Sequence, residues 1–312
     1  MHSDKINYDK LPVLFNVLNN VRSHTQEDIG DCVESKDKTC SFSVLPDEPG
    51  LENISYYAVF DGHFSPAVSE YLSKELLNNI LNADFVLFKT LAEKMLKLNS
   101  NKVVERIKKA IRQGFLDIDQ KMRDLPEIKN REQIDSGSTA IICLITPTHI
   151  FIANCGDSRA ILVSDNRLAF ASKDHLLKSS NEEDRIKRAG GILETDDQRQ
   201  FVRAFELSNK SFTKLYVSRA LGDFSFKSNP KREQCEQIIS PEPDIKVHER
   251  STKDEFLLLA NDAVWNLISN EEMKTCVQQY LNSFGSELNH VTNSIIVKCL
   301  SNVSFYFDLN VI

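Results

Sequence analysis

The 312-residue chain lacks any apolar run of the roughly 18–20 residues that a membrane-spanning helix needs, so a helical membrane protein is not expected. Its longest apolar stretch, Ala140–Ile145 followed by His149–Ala153, is divided by Thr146-Pro147-Thr148 and reads as a hairpin. A leader-like apolar core is missing from Met1–Leu11, which is polar and of mixed charge. A basic excess is absent as well. With 38 Lys and Arg against 45 Asp and Glu, the net charge is −7, which speaks against nucleic acid or an anionic membrane as partner. No C-x-x-C pair and no histidine pair at zinc spacing occurs among seven scattered cysteines, so zinc is not expected. The odd count in a chain of this size points to reduced thiols and a cytoplasmic or nuclear location, where the sequons at Asn53, Asn209 and Asn302 would go unused. Internal repeats, low-complexity tracts and linkers are also missing. The reading is a short lead-in, 1–14, and one domain over 15–308.

What the chain does have is a recurring pattern: apolar runs of strand length that stop at an aspartate. Tyr56–Ser65 reads YYAVFDGHFS, His149–Asp157 reads HIFIANCGD, and Glu255–Asp262 reads EFLLLAND. Helical spacing of Val68, Tyr71, Leu72, Leu76 and Ile80 marks one helix, and Val104, Ile107, Ile111, Phe115, Ile118 and Met122 mark another. Both stripes read as core-facing surfaces. A second hairpin is expected over Ala160–Val163 and Leu168–Ala171, turning at Asp165-Asn166. A helix over Asn181–Ala189 should stop at Gly190-Gly191. Glu194–Lys214 reads as an exposed polar loop before a short strand at Leu215–Ser218, and Ser225–Cys235 as another loop. A helix is expected over Asn270–Leu281, and Ile295–Ile312 reads as helix end, turn and final strand.

Strands ending in acidic residues can gather oxygen donors at one edge of a sheet, the donor type that hard cations such as Mg²⁺ and Mn²⁺ take. Glu27, Asp28, Asp61, Asp157 and Asp262 are the candidates. Taken singly, an aspartate at a strand end is ordinary turn chemistry; its repetition on three separate strands is what points to metal. Two ions sharing one carboxylate could hold a hydroxide for hydrolysis. His63, beside Asp61, could give a proton to a leaving oxygen or simply bond loop backbone.

These residues sit within an ordered series of motifs: QED at 26–28, VFDGH at 59–63, SGSTA at 136–140, ANCGDSRAIL at 153–162 and KDH at 173–175. The series continues with RIKRAGG at 185–191, VSRALGDFSFK at 217–227, PEPDI at 241–245 and DEFLLLANDAVWNLISNEE at 254–272, and ends in a degenerate SNVS at 301–304. In this the chain resembles the metal-dependent serine/threonine protein phosphatases of type 2C, the PPM family. The resemblance implies an α+β fold, a four-layer α-β-β-α sandwich of two antiparallel sheets flanked by helices. It implies Asp61 bridging two Mg²⁺ or Mn²⁺ ions, the Gly62 carbonyl on the second, and Asp262 on the first. Glu27 and Asp28 would hold metal-bound waters, Asp157 a third site, His63 the role of general acid, and Arg22 the phosphate. Ser136–Ala140 and Val217–Phe226 would be scaffold around the cleft.

The chain departs from the family pattern near the metals. Phe64 and Ser65 follow His63 where the family has two glycines, and Ala263 replaces a glycine. Asn266 and Ser301 stand where carboxylates are usual, and Ser23 occupies the arginine position with Arg22 beside it. Losing carboxylates lowers attraction for a dication. Two readings therefore stand. One is a protein serine/threonine phosphatase that acts on phosphorylated proteins as a monomer. The other is a catalytically impaired relative that binds phosphoproteins or signalling partners. A third reading, a metal-dependent nuclease, has little support given the acidic balance.

Overall fold

In a computed structural model, the structure describes residues 13–15, 40–44, 54–94, 101–129, 135–196, 199–206, 211–284, 291, 293–295 and 297–299. Two sheets lie at its centre. The larger is built from β2 (Cys40–Val44), β3 (Ser55–His63), β4 (Gly137–Ser138), β5 (Ala140–Ile145), β6 (His149–Cys155), β12 (Leu221–Gly222) and β13 (Asp244–Glu249). Its order is β12-β4-β3-β5-β6-β13, with β2 also on β3. The smaller sheet runs β1-β14-β7-β8, from β1 (Val13–Phe15), β14 (Asp254–Ala260), β7 (Arg159–Ser164) and β8 (Arg167–Ala171).

Period-two alternation sorts the strand residues into layers. Ile141, Cys143, Ile145, Ile150 and Ile152 meet Ala160, Leu162, Leu257 and Leu259 between the sheets. Their neighbours Ala140, Ile142, Leu144, Phe151 and Ala153 point the other way, onto α1 (Ala67–Ala83) and α3 (Asn101–Met122). On the far side, Ile161, Val163, Phe256 and Leu258 pack on Trp265, Met273, Val277, Val291 and Ile295. The four-layer α-β-β-α sandwich is thus written in side-chain direction. Strands buried on both faces explain the near-continuous apolar runs.

The expected elements appear, with corrections. The hairpin turn Asp165-Asn166 has both residues left-handed, φ 51° and 59°, as a two-residue turn of this kind requires. The helix of Ser180–Ala189 (α5, following α2 at Phe85–Lys94 and α4 at Pro126–Lys129) stops at left-handed Gly190. Glu194–Lys214 is not an irregular loop. It forms a third, antiparallel sheet from β9 (Leu193–Asp196), β10 (Arg199–Glu206) and β11 (Ser211–Leu215). Its polar residues pair across strands, Lys214 with Asp196 at 2.8 Å and Arg203 with Glu194 at 2.8 Å, while Lys214 and Arg199 also lie over the rings of Phe201 and Tyr216. Composition hides such pairing, because each partner is hydrophilic alone. The expected strand at Leu215–Ser218 therefore ends at its first residue. At the expected boundary between lead-in and domain, Val13–Phe15 joins β14 in parallel register, an exception in otherwise antiparallel sheets. The final strand expected before Ile312 lies outside the described residues, and no described helix is long and apolar enough to cross a membrane.

Candidate active site

The β3 strand carries three of the expected residues at its end. Asp61 is 3% exposed, and its carbonyl accepts the Thr139 N–H at 2.9 Å. Gly62 and His63 pair in register with Ser138 and Gly137. On the other sheet β14 ends at Ala260, Asn261 caps the turn, and Asp262 begins a short helix, α6 (Asp262–Trp265). The Asn261 amide donates to Asp61 Oδ2 over a long 3.4 Å, so the two sheets meet at this end. Asp262, 8% exposed, lies directly beside that bridge. Asp157 follows β6, next to Ser158, whose hydroxyl meets that of Thr139 at 2.9 Å. One residue, Thr139, therefore links Asp61 to the Asp157 turn. Glu27, Asp28, Arg22 and the altered Ser23 and Ser301 lie outside the described residues.

Two of the departures have a structural reading. Phe64 takes φ 65°, so the backbone keeps the left-handed turn that a glycine would make freely, at a cost of about 1–2 kcal/mol. Its ring is 47% exposed and stands edge-on to His63, centroids 5.2 Å apart. The Asn266 amide donates to Asp262 Oδ2 at 3.4 Å. A donor therefore approaches Asp262 where the family pattern has a second carboxylate.

Do these groups suit a divalent ion? Two buried carboxylates, one at the end of each sheet where the sheets meet, need positive counter-charge. Ions of the Mg²⁺ class are held by one or two carboxylates, with water and phosphate oxygens filling the remaining positions. The donor chemistry of Asp61 and Asp262 fits such an ion. Among the described residues, no group of three or more His, Cys, Asp or Glu could hold one.

One residue of the segment read as scaffold, Asp223, reaches His63. His63 Nε2 lies 2.8 and 2.9 Å from the two oxygens of Asp223. Asp223 is wholly buried and left-handed at φ 53°, behind Gly222 at φ 80°. Asp135 follows alongside, its oxygens accepting the Phe224 and Ser225 N–H groups at 2.9 and 2.6 Å. Burial and the charge of Asp223 push the Asp135 carboxyl up. The sequence signal for Asp223 was faint: a Gly-Asp pair after a short apolar run, the composition of a left-handed turn.

Comparison with known proteins bears on this arrangement. The protein phosphatase 2C family model matches residues 29–304. The chain belongs to that family. It is 37% identical to human protein phosphatase 1A over 269 residues, 86% of this chain and 64% of that one. Rat protein phosphatase 1B is 38% identical over 252 residues, 80% of this chain and 60% of the relative; human protein phosphatase 1B is 37% identical over 251 residues, 80% and 48%. The chain thus spans about half to two thirds of the length of these curated relatives. Among solved structures, a serine-threonine phosphatase 2C from Toxoplasma gondii superposes with TM-score 0.69 at 19% identity, covering 84% of this chain and 85% of that one. A C. elegans sex-determining protein superposes at 0.60 with 22% identity, covering 83% and 57%. These likenesses support the fold. Protein phosphatase 2C proteins are metal-dependent, in keeping with the acidic strand ends.

Proposed function

We propose that this protein phosphatase 2C chain is a divalent-metal-dependent protein serine/threonine phosphatase that removes phosphate from phosphoserine and phosphothreonine. The observation that carries the reading is the Asn261–Asp61 contact. It draws the acidic ends of β3 and β14 together beside His63 in a chain of this family. Asp61, the Gly62 carbonyl and Asp262 would hold Mg²⁺ or Mn²⁺, and Asp157 a further ion. When bound, such ions supply a water acidified enough to attack phosphorus and neutralise charge on the phosphate oxygens. Glu27 and Asp28 would order waters, Arg22 would bind the phosphate, and His63 would hold a proton for the departing oxygen. Residues 15–308 would act as one domain and a monomer on phosphorylated proteins in the cytoplasm or nucleus, without nucleic acid or membrane.

The test is hydrolysis of a phosphoserine peptide and an aryl phosphate across Mg²⁺ and Mn²⁺ titrations, with Asp61→Ala as control. Turnover that rises with Mn²⁺ and disappears in the control is expected. No turnover, together with no heat of metal binding in calorimetry, would overturn the reading in favour of an impaired phosphoprotein-binding relative.

A further inference from the structure

We propose that Asp223 is the positioning residue of His63, a role that rests on the phosphatase reading. The argument begins with how the chain holds this carboxylate. Gly222 and Asp223 are consecutive left-handed residues, which turn the backbone sharply after β12 and aim the side chain at the end of β3. The turn is fixed from below. Asp119 on α3 accepts the Gly222 N–H at 2.9 Å and the Lys227 ammonium at 2.7 Å, and Lys227 also reaches the Ala220 carbonyl at 2.9 Å. Asp119, Lys227 and Asp223 are all buried. From the side, Gly137 leaves room: a Cβ there would stand 2.1 Å from Asp223 Oδ2.

Burying this many charges is costly, and apolar packing of the same volume would serve stability as well or better. What the charges achieve is a carboxylate held rigidly with both oxygens on one imidazole nitrogen. Within the pair, the Asp223 side chain is 0% exposed and that of His63 18%. The imidazole is therefore the member that meets solvent, and the carboxylate stands behind it. A carboxylate behind an imidazole fixes the ring's orientation and tautomer.

The consequence for the reaction is specific. With Nε2–H committed to Asp223, the proton that His63 gives up comes from Nδ1. As the water oxygen bonds to phosphorus, the bond from phosphorus to the seryl or threonyl oxygen breaks. That oxygen keeps the electron pair and takes the Nδ1 proton, leaving neutral imidazole with hydrogen on Nε2. The proton released by the attacking water restores Nδ1.

Asp223→Asn keeps the shape and removes the charge. It is expected to lower kcat on a phosphoserine peptide by about 100-fold or more, the usual worth of proton transfer, with KM little changed. Nitrophenyl phosphate, whose phenolate departs without a proton, should lose little. Combining Asp223→Asn with His63→Gln should add no further loss, because both changes remove the same proton transfer. Equal loss on both substrates, or losses that multiply in the double variant, would overturn the proposal. Asp223→Ser, smaller and uncharged, serves if the asparagine variant does not fold, with the same split expected. The wild-type protein also decides the matter by proton NMR: a low-field His63 Nε2–H resonance is expected, and its absence would overturn the pairing. Wild-type protein that hydrolyses neither substrate sinks the phosphatase reading itself and this role with it, a result distinct from equal loss.

Discussion

Alanine at Gly137 adds a single methyl group to the tightest spot around the His63–Asp223 pair. Its Cβ would lie 2.1, 2.4 and 2.6 Å from Asp223 Oδ2, Cγ and Oδ1, against a comfortable separation of about 3.5 Å. The carboxylate cannot easily retreat. The Asp223 N–H is bonded to the Ser136 carbonyl at 3.0 Å and its own carbonyl receives the Phe226 N–H at 3.1 Å. Overpacking of this kind costs about 1–3 kcal/mol, and losing a charge-assisted hydrogen bond to His63 costs about 1.5–3 kcal/mol. Gly137→Ala should therefore destabilise by roughly 3–5 kcal/mol, a large part of the total for an ordinary domain. Gly190→Ala is the control. Gly190 is left-handed at φ 90°, but nothing lies within 4 Å of an added Cβ, so only backbone strain of about 1–2 kcal/mol is expected. Urea unfolding followed by the fluorescence of Trp265, the sole tryptophan and buried, compares the two. The midpoint should fall much further for Gly137→Ala, with an unchanged slope. Equal shifts in the two variants would refute the placement of the Asp223 carboxylate against β4.

Two further outcomes follow from buried charges. Lys227→Met leaves the Asp119 carboxylate without its 2.7 Å ammonium partner and should cost about 3–5 kcal/mol in guanidinium unfolding; adding Asp119→Asn should restore part of this, since the amide oxygen still accepts the Gly222 N–H. Burial pushes Glu182 up, but hydrogen bonds from Arg219 and the charges of Arg185 and Arg219 outweigh it and hold the carboxyl at about 2. A depressed carboxyl stabilises the fold fully above its ordinary value of 4.5 and loses that contribution as pH falls toward about 2. Glu182→Gln should flatten the acid limb of stability across that window, measured by thermal melts at successive pH values, whereas an unchanged limb would show that other carboxylates control it.

Much of this molecule could be read along the chain, and the failures share a cause. Ala140–Ile145 and Glu255–Ala260 announced themselves because both faces of each strand are buried, so the apolar signal is local and continuous. The stripe Ile107, Ile111, Phe115, Ile118 and Met122 did the same for α3. In that stripe Asp119 sits four residues after Phe115, on the apolar face, and is the visible trace of the buried network. Nothing local told that its partners would be Gly222 and Lys227, more than 100 residues away. The third sheet was missed for a related reason: Glu194, Asp196, Arg203 and Lys214 look like loop residues until they face one another across strands.

The sequence by itself determined the apolar strands, the helical stripes and the acidic strand ends at Asp61, Asp157 and Asp262, because burial and turn chemistry act over a few neighbouring residues, and its ordered motifs carried the resemblance that implied the family and the layered sandwich. Only the tertiary structure decided that Asn261 would bridge to Asp61, that Phe64 would accept a left-handed backbone, and that Asp223 would stand behind His63. That last pairing joins residues 160 positions apart, and a contact of that range depends on β12 and β3 taking places on either side of β4 in one sheet.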